Sequence, residues 1–183
     1  MKEYMEKLGV AVSMTAMTGL KPRRKRGPIG TIVDLLIEVH TNRKKVVVIG
    51  NGGSAAIASH VANDFTKAGG IRSMTFSDPS AITCFANDFG YENVFSSQIE
   101  RQCFKGDVLI AISSSGRSEN IIRAVHAAKS CNMTTITFTG FEPDNTVRSL
   151  GDVNFYVPSD EYGFVELAHM IWLHAITDAL SSL

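Results

Sequence analysis

Two turns rich in glycine and serine hold the residues of this chain best suited to bind an anion. Each turn follows an apolar run typical of a buried strand, Val46–Ile49 in one case and Val108–Ile112 in the other. Glycines let the backbone approach a ligand, Ser54 is a suitable helix N-cap, and free N–H groups at a helix start attract phosphate. The first turn supplies Asn51, Gly52, Gly53 and Ser54, and the second supplies Ser113, Ser114, Ser115 and Ser118. The alternative for the second turn is an ordinary serine-rich turn that only caps a helix. Two anion-binding patterns after two predicted strands together favour a phosphate site.

A second group of residues is suited to proton transfer or metal binding. His60 and Asp64 are four residues apart in the helix expected after the glycine turn, so they share one face. They can ligate one metal ion, act as an acid–base pair, or simply form a surface hydrogen bond. The last helix adds Glu166, His169 and His174 within an apolar stretch, where histidines are more commonly core residues.

The elements that must position these residues alternate between strand and helix. Further strands are predicted at 73–77, 134–138 and 153–157, and helices at 91–102, 119–130 and 163–180. A turn at Asp78-Pro79 is expected after the first of these strands. Strands separated by helices of this length predict right-handed βαβ units, hence a single α/β domain with a parallel sheet in an αβα sandwich. Ligands of such sheets lie at the carboxyl ends of the strands, where both turns are found.

The N-terminal region is predicted to be helical. Met5, Leu8, Val12 and Met17 have roughly helical spacing and indicate a helix over about residues 1–20, and a second helix is predicted at about 30–41. Between them lies a basic segment, Lys21–Arg26, which is either a solvated loop or a patch that contacts an anion or nucleic acid. We divide the chain into a helical extension with this basic loop, residues 1–31, and a second domain, residues 32–183, which contains both turns.

Composition argues against several classes of protein. The 183 residues carry 18 basic and 18 acidic side chains, so no net charge favours nucleic acid or a membrane surface. Three scattered cysteines fit a reducing cytoplasm rather than a disulfide framework. No apolar run approaches the length that spans a bilayer, and the first residues lack a secretory pattern, so we expect a cytoplasmic protein.

Five motifs in order resemble the sugar isomerase (SIS) domain family, and in particular its sedoheptulose-7-phosphate isomerases. They are the turn at residues 50–54, His60-x-x-x-Asp64, Asn87–Glu92, the turn at 113–118, and the final helix from Glu166 to His174. The resemblance implies a flavodoxin-like parallel sheet and a homotetramer with sites shared between subunits. It also implies a sugar phosphate bound through the two turns and a divalent metal, often zinc.

The same resemblance assigns a role to each matching residue. It makes Asp64 and His174 the catalytic acid–base pair, and His60, Asp64, Glu166 and His174 the metal ligands. Substrate contacts would come from Glu166, from Asn87 and Asp88, and from the eight residues of the two turns. Three positions depart from the family pattern, because Asp64 replaces Glu, Glu166 replaces Gln, and Gly163 replaces Asp. All three map where the carbons of the sugar should lie, which leaves the preferred sugar open.

The expected activity is aldose–ketose isomerisation of a phosphorylated sugar through an enediol, with sedoheptulose 7-phosphate as the expected substrate for surface-polysaccharide heptose synthesis. A non-catalytic SIS adaptor and a phosphosugar-sensing regulator are the alternatives. Asp64 and His174 argue for the enzyme.

Overall fold

The six strands form one sheet in the order β1-β6-β5-β4-β2-β3. The structure is a computed structural model that describes residues 1–19 and 27–182. The strands β2 to β6 run parallel to one another, whereas β1 is antiparallel to β6. Their bounds are β1 Ala16–Gly19, β2 Val46–Gly50, β3 Ser73–Thr75, β4 Val108–Ser113, β5 Thr134–Thr139 and β6 Val153–Tyr156. The predicted α/β fold with a parallel sheet is confirmed.

Helices cover both faces of the sheet. They are α1 Lys2–Ser13, α2 Gly27–Thr41, α3 Gly53–Lys67, α4 Pro79–Phe89, α5 Ser96–Gln102, α6 Glu119–Ser130, α7 Thr146–Leu150 and α8 Tyr162–Ser181, and a short 3-10 helix spans Tyr91–Asn93. One hydrophobic core lies between the sheet and α2, α3 and α8, and a second lies between the opposite face and α5 and α6. Every residue of β2 and β4 is buried, because apolar side chains on both faces of a central strand meet these two cores.

The N-terminal segment differs from the prediction. The predicted helix over residues 1–20 ends at Ser13, and Ala16–Gly19 pairs with β6 as an edge strand. Thr15, Thr18 and Gly19 are poor helix formers, and the pairing satisfies backbone groups that β6 would otherwise leave open. The division into domains at residue 31 stays a prediction, and the sheet includes one strand from the N-terminal side of it.

Two further differences lie between β3 and β4. The predicted strand at 73–77 ends at Thr75, and the Asp78-Pro79 turn is the start of α4. An Asp78 carboxylate oxygen accepts the Ala81 N–H at 3.0 Å, and Pro79 lies in the first turn, as helix starts favour. The predicted helix at 91–102 is divided into the 3-10 helix and α5.

Two other expectations from the sequence concern membrane-spanning helices and the basic segment. No helix in the described ranges is long and apolar enough to cross a membrane. The basic segment Lys21–Arg26 lies outside the described residues.

Candidate active site

The turn after β2 and the turn after β4 meet at the carboxyl edge of the sheet and line one cleft. Its walls contain seven of the predicted substrate residues, namely Asn51, Ser54, Ser113, Ser114, Ser115, Ser118 and Glu166. The cavity measures about 120 Å³, several times the volume that one water molecule occupies in the liquid, about 30 Å³. It therefore has room for an anion the size of phosphate.

The serine turn offers hydroxyls that the protein itself does not use. Ser114 Oγ is buried, and it has no hydrogen-bond partner within the described residues. Ser118 is the N-cap residue of α6, yet its side chain makes no capping bond. A buried polar group without a partner is costly, so an unpaired hydroxyl here indicates that a ligand completes its bonding. The free N–H groups at the start of α6 add to the attraction for an anion.

Glu166 provides the one carboxylate among the described residues of the cleft lining. Its carboxylate packs directly on the start of α3, because a Cβ added at Gly53 would lie 2.6 Å from a Glu166 oxygen. A larger residue at position 53 would therefore displace the Glu166 carboxylate from this position. The preceding Gly52 has a φ of 53°, a left-handed conformation that glycine adopts without strain.

A separate cluster joins His60, Asp64 and His174. The Nε2 atom of His60 lies 3.1 Å from Asp64 Oδ2, and His174 Nδ1 lies 3.7 Å from the same oxygen. The two imidazole rings meet edge to face, with centroids 5.2 Å apart. One ligand atom from each of the three residues lies within 4.8 Å of the others. Two imidazole nitrogens and a carboxylate oxygen form a donor set that suits zinc.

Within one chain, Glu166 is not part of this cluster. Eight residues of the uninterrupted helix α8 separate it from His174, about 12 Å along the axis. The metal-binding groups found in the described ranges comprise His60, Asp64 and His174. The predicted role of Glu166 as a ligand of the same ion stays a prediction.

Four other predicted contacts, Gly52, Gly53, Asn87 and Asp88, are not among the residues that line the cleft. Asn87 and Asp88 are exposed near the end of α4, where Asn87 Nδ2 donates to Asp88 Oδ1 at 2.8 Å. Gly163 lies in the first turn of α8, and a Cβ added there would meet the Tyr4 hydroxyl at 2.8 Å. The space that a side chain at 163 would need is thus occupied by a residue of α1.

Two residues that the sequence did not single out, Tyr162 and Asn120, belong to this region, together with Tyr91, which lies within the Asn87–Glu92 motif but had no predicted role. Tyr162 lines the cleft, and Asn120 and Tyr91 both bond the side chain of Asn51. Asn120 follows Ser118 by two residues in α6, so its proximity to the serine turn was a signal in the sequence. Its pairing with Asn51 was not, because 69 residues separate the two.

His169, in contrast, is a core residue, as its apolar surroundings predict. Its side chain is completely buried, and Nε2 lies 3.2 Å from the Thr139 carbonyl oxygen. Burial lowers the pKa of this imidazole to about 4, although the backbone bond acts in the opposite direction. A carbonyl can only accept, so Nε2 carries the proton of the neutral ring.

Comparison with known proteins identifies the family of this chain. The chain matches the SIS domain family over residues 16–140. A phosphoheptose isomerase from Helicobacter pylori is 38% identical over 154 residues, which cover 81% of this chain and 80% of that protein. The chain belongs to the phosphoheptose isomerase family of SIS domain proteins.

Two further members of the family match this chain at lower sequence identity. A phosphoheptose isomerase from Fusobacterium nucleatum is 33% identical over 166 residues, or 88% of this chain and 85% of that protein. The solved structure of the phosphoheptose isomerase from Neisseria gonorrhoeae superposes with a TM-score of 0.85 at 30% identity, covering 98% of this chain and 96% of that one. The predicted family and its fold are therefore confirmed.

Proposed function

We propose that this protein is an aldose–ketose isomerase that interconverts sedoheptulose 7-phosphate and an aldoheptose 7-phosphate. The observation that carries the proposal is the presence, on the same two helices, of an anion cleft and a carboxylate–imidazole cluster. Helix α3 supplies Ser54 and Asp64, and α8 supplies Glu166 and His174. The family relatives that are named phosphoheptose isomerases support the same activity.

The phosphate of the substrate would lie in the cleft. Its oxygens would accept hydrogen bonds from the serine hydroxyls and from the N–H groups at the starts of α3 and α6. Among these donors, Ser114 would be stabilised most by a bond to the phosphate, because its hydroxyl is buried without a partner among the described residues.

The carbonyl end of the sugar would reach the cluster. Six residues of α3 separate Ser54 from His60, about 9 Å along the axis. An extended seven-carbon chain with a terminal phosphate spans on the order of 10 Å, with carbon–carbon bonds of about 1.5 Å. A heptose phosphate thus has the length to connect the two sites, whereas a pentose phosphate is shorter by roughly 2.5 Å.

At the cluster, Asp64 would transfer a proton between neighbouring carbons. Its carboxylate would take the proton from C1 of the ketose, giving an enediol, and return it to C2. His174 would move a proton from the oxygen on C1 to the oxygen on C2, so the product is an isomer with no net loss of atoms. The imidazole of His60, 3.1 Å from Asp64, would orient that carboxylate.

The same three residues would hold a divalent cation, which we propose is zinc. When bound, the cation would supply polarisation of the carbonyl and neighbouring hydroxyl oxygens of the sugar. Glu166 would join His60, Asp64 and His174 as a fourth ligand if it came from a second copy of the chain.

We further propose a cytoplasmic homotetramer. Leu167 and Ile171, one turn apart on α8, are 41% and 42% exposed, and apolar side chains in such a position favour contact with another copy. Cys84, Cys103 and Cys131 are all free thiols, which supports a reducing compartment.

Isomerisation in heavy water tests the proposed activity. Sedoheptulose 7-phosphate should be converted to an aldose, and solvent deuterium should enter the substrate and product at C1 or C2 because the proton passes through a side chain that exchanges with solvent. Binding of the sugar phosphate without exchange or conversion would instead favour the regulator. Failure to bind any sugar phosphate would favour the adaptor.

A further inference from the structure

The side chains of Asn51 and Asn120 form a reciprocal pair of hydrogen bonds between the two turns of the cleft. Asn51 Nδ2 donates to Asn120 Oδ1, and Asn120 Nδ2 donates to Asn51 Oδ1, each at 2.9 Å. Asn51 follows β2, and Asn120 lies in the first turn of α6 after β4. The pair therefore fixes the distance between the glycine turn and the serine turn.

Asn120 is buried, whereas Asn51 lines the cleft. Asn120 is only 3% exposed, and Asn51 lies in the wall of the cleft. The Tyr91 hydroxyl also donates to Asn51 Oδ1, at 3.2 Å. The 3-10 helix that carries Tyr91 is itself tied to α6, because Arg123 Nη1 donates to Asn93 Oδ1 at 3.0 Å.

The hydrogen-bonding capacity of Asn51 shows what these contacts leave for a ligand. An asparagine amide has two N–H donors and an oxygen with two lone pairs. Asn120 uses one N–H and one lone pair, and Tyr91 uses the other lone pair. One N–H remains, so the amide is presented to the cleft as a donor.

We infer that Asn120 is a positioning residue, which holds the Asn51 amide as a hydrogen-bond donor to the phosphorylated ligand. This inference rests on the proposed phosphate site. A purely structural Asn120 would affect stability alone, whereas a positioning residue affects phosphate binding through Asn51.

A double-mutant cycle with inorganic phosphate as the probe separates these roles. Phosphate binding to the full chain would be measured by calorimetry for the wild type, Asn120→Ala, Asn51→Ala and the double variant. Asn120→Ala should weaken phosphate binding about 10-fold, the effect of losing one bond to a charged group. In the Asn51→Ala background the same change should alter binding less than about 2-fold, because the residue through which it acts is absent.

Two further variants distinguish a loss of phosphate affinity from a loss of folding. Asn154→Ala removes another buried asparagine, which bonds Thr137 and Thr139 in the sheet, and it should lower stability without changing phosphate affinity. Tyr91→Phe removes a contact of Asn51 from an exposed side chain, and it should weaken phosphate binding in the wild type but not in Asn51→Ala. This second cycle decides the question if Asn120→Ala does not fold.

The outcomes separate the inference from the proposed function. Wild-type affinity in both Asn120→Ala and Tyr91→Phe, or an equal loss in the two backgrounds, would overturn the positioning role while leaving the phosphate site intact. Absence of phosphate binding in the folded wild type would overturn the phosphate site itself, and the inference with it.

Discussion

The fully buried His169 should make the stability of this protein depend strongly on pH. Burial lowers the pKa of its imidazole from 6.5 to about 4. Below about pH 6.5 this imidazole binds a proton in the unfolded chain, whereas in the folded chain it stays neutral until the pH approaches 4. The stability that the neutral ring contributes is therefore complete above about pH 6.5 and is lost as the pH falls towards 4. A difference of 2.5 pKa units corresponds to about 3 kcal/mol. That is a large fraction of a typical unfolding free energy of about 5–15 kcal/mol.

His169→Gln isolates this contribution. The amide N–H of glutamine can replace the Nε2–H that donates to the Thr139 carbonyl, but it does not titrate. Urea unfolding would be measured between pH 7.5 and 4.5 at one fixed protomer concentration, since oligomerisation links stability to concentration. Between pH 6 and 4.5 the wild type should lose about 1 kcal/mol per pH unit more than the variant.

The matched control is His40→Gln, which removes an exposed imidazole that also bonds a backbone carbonyl, that of Gly70 at 3.0 Å. This variant controls for the loss of a bond between an imidazole and a backbone carbonyl. Equal slopes in the wild type and His169→Gln would refute the argument, because they would show that His169 binds its proton equally in the folded and unfolded states.

Four further outcomes are expected. Asp64→Asn should lower turnover by about 100-fold or more while phosphate still binds, and near-normal turnover would assign the proton transfer to another group. Purified protein should retain zinc, and His60→Ala or His174→Ala should lose it; metal analysis showing no zinc after supplementation would leave only the acid–base role of the cluster. Light scattering should give a tetramer, and a monomer at micromolar concentration would exclude shared sites. Glu166→Gln should raise turnover on sedoheptulose 7-phosphate relative to turnover on pentose phosphates by about 10-fold. An unchanged ratio would show that the Glu166 carboxylate does not contribute to the choice of sugar.

Much of the scaffold was predictable because its signals are local. The unbroken apolar runs before the two turns indicate buried central strands, and the helical stripes between them indicate a parallel sheet. The start of α4 was also predictable, since an Asp N-cap followed by Pro is a local signal, but Asp78-Pro79 was interpreted as a turn. The strand β1 was not, because its partner β6 lies some 140 residues away in the chain.

The candidate site likewise has some features that the sequence predicted and others that only the structure showed. The sequence alone pointed to the two turns that line the cleft and placed His60 beside Asp64, because glycine and serine content and helical spacing follow from neighbouring residues. Only the tertiary structure brought His174 to Asp64, kept Glu166 in the cleft, and paired Asn51 with Asn120. Those contacts depend on how α3 and α8 pack on the sheet and on which strands become neighbours. Such packing is set by burial of the whole core, which no short stretch of sequence encodes.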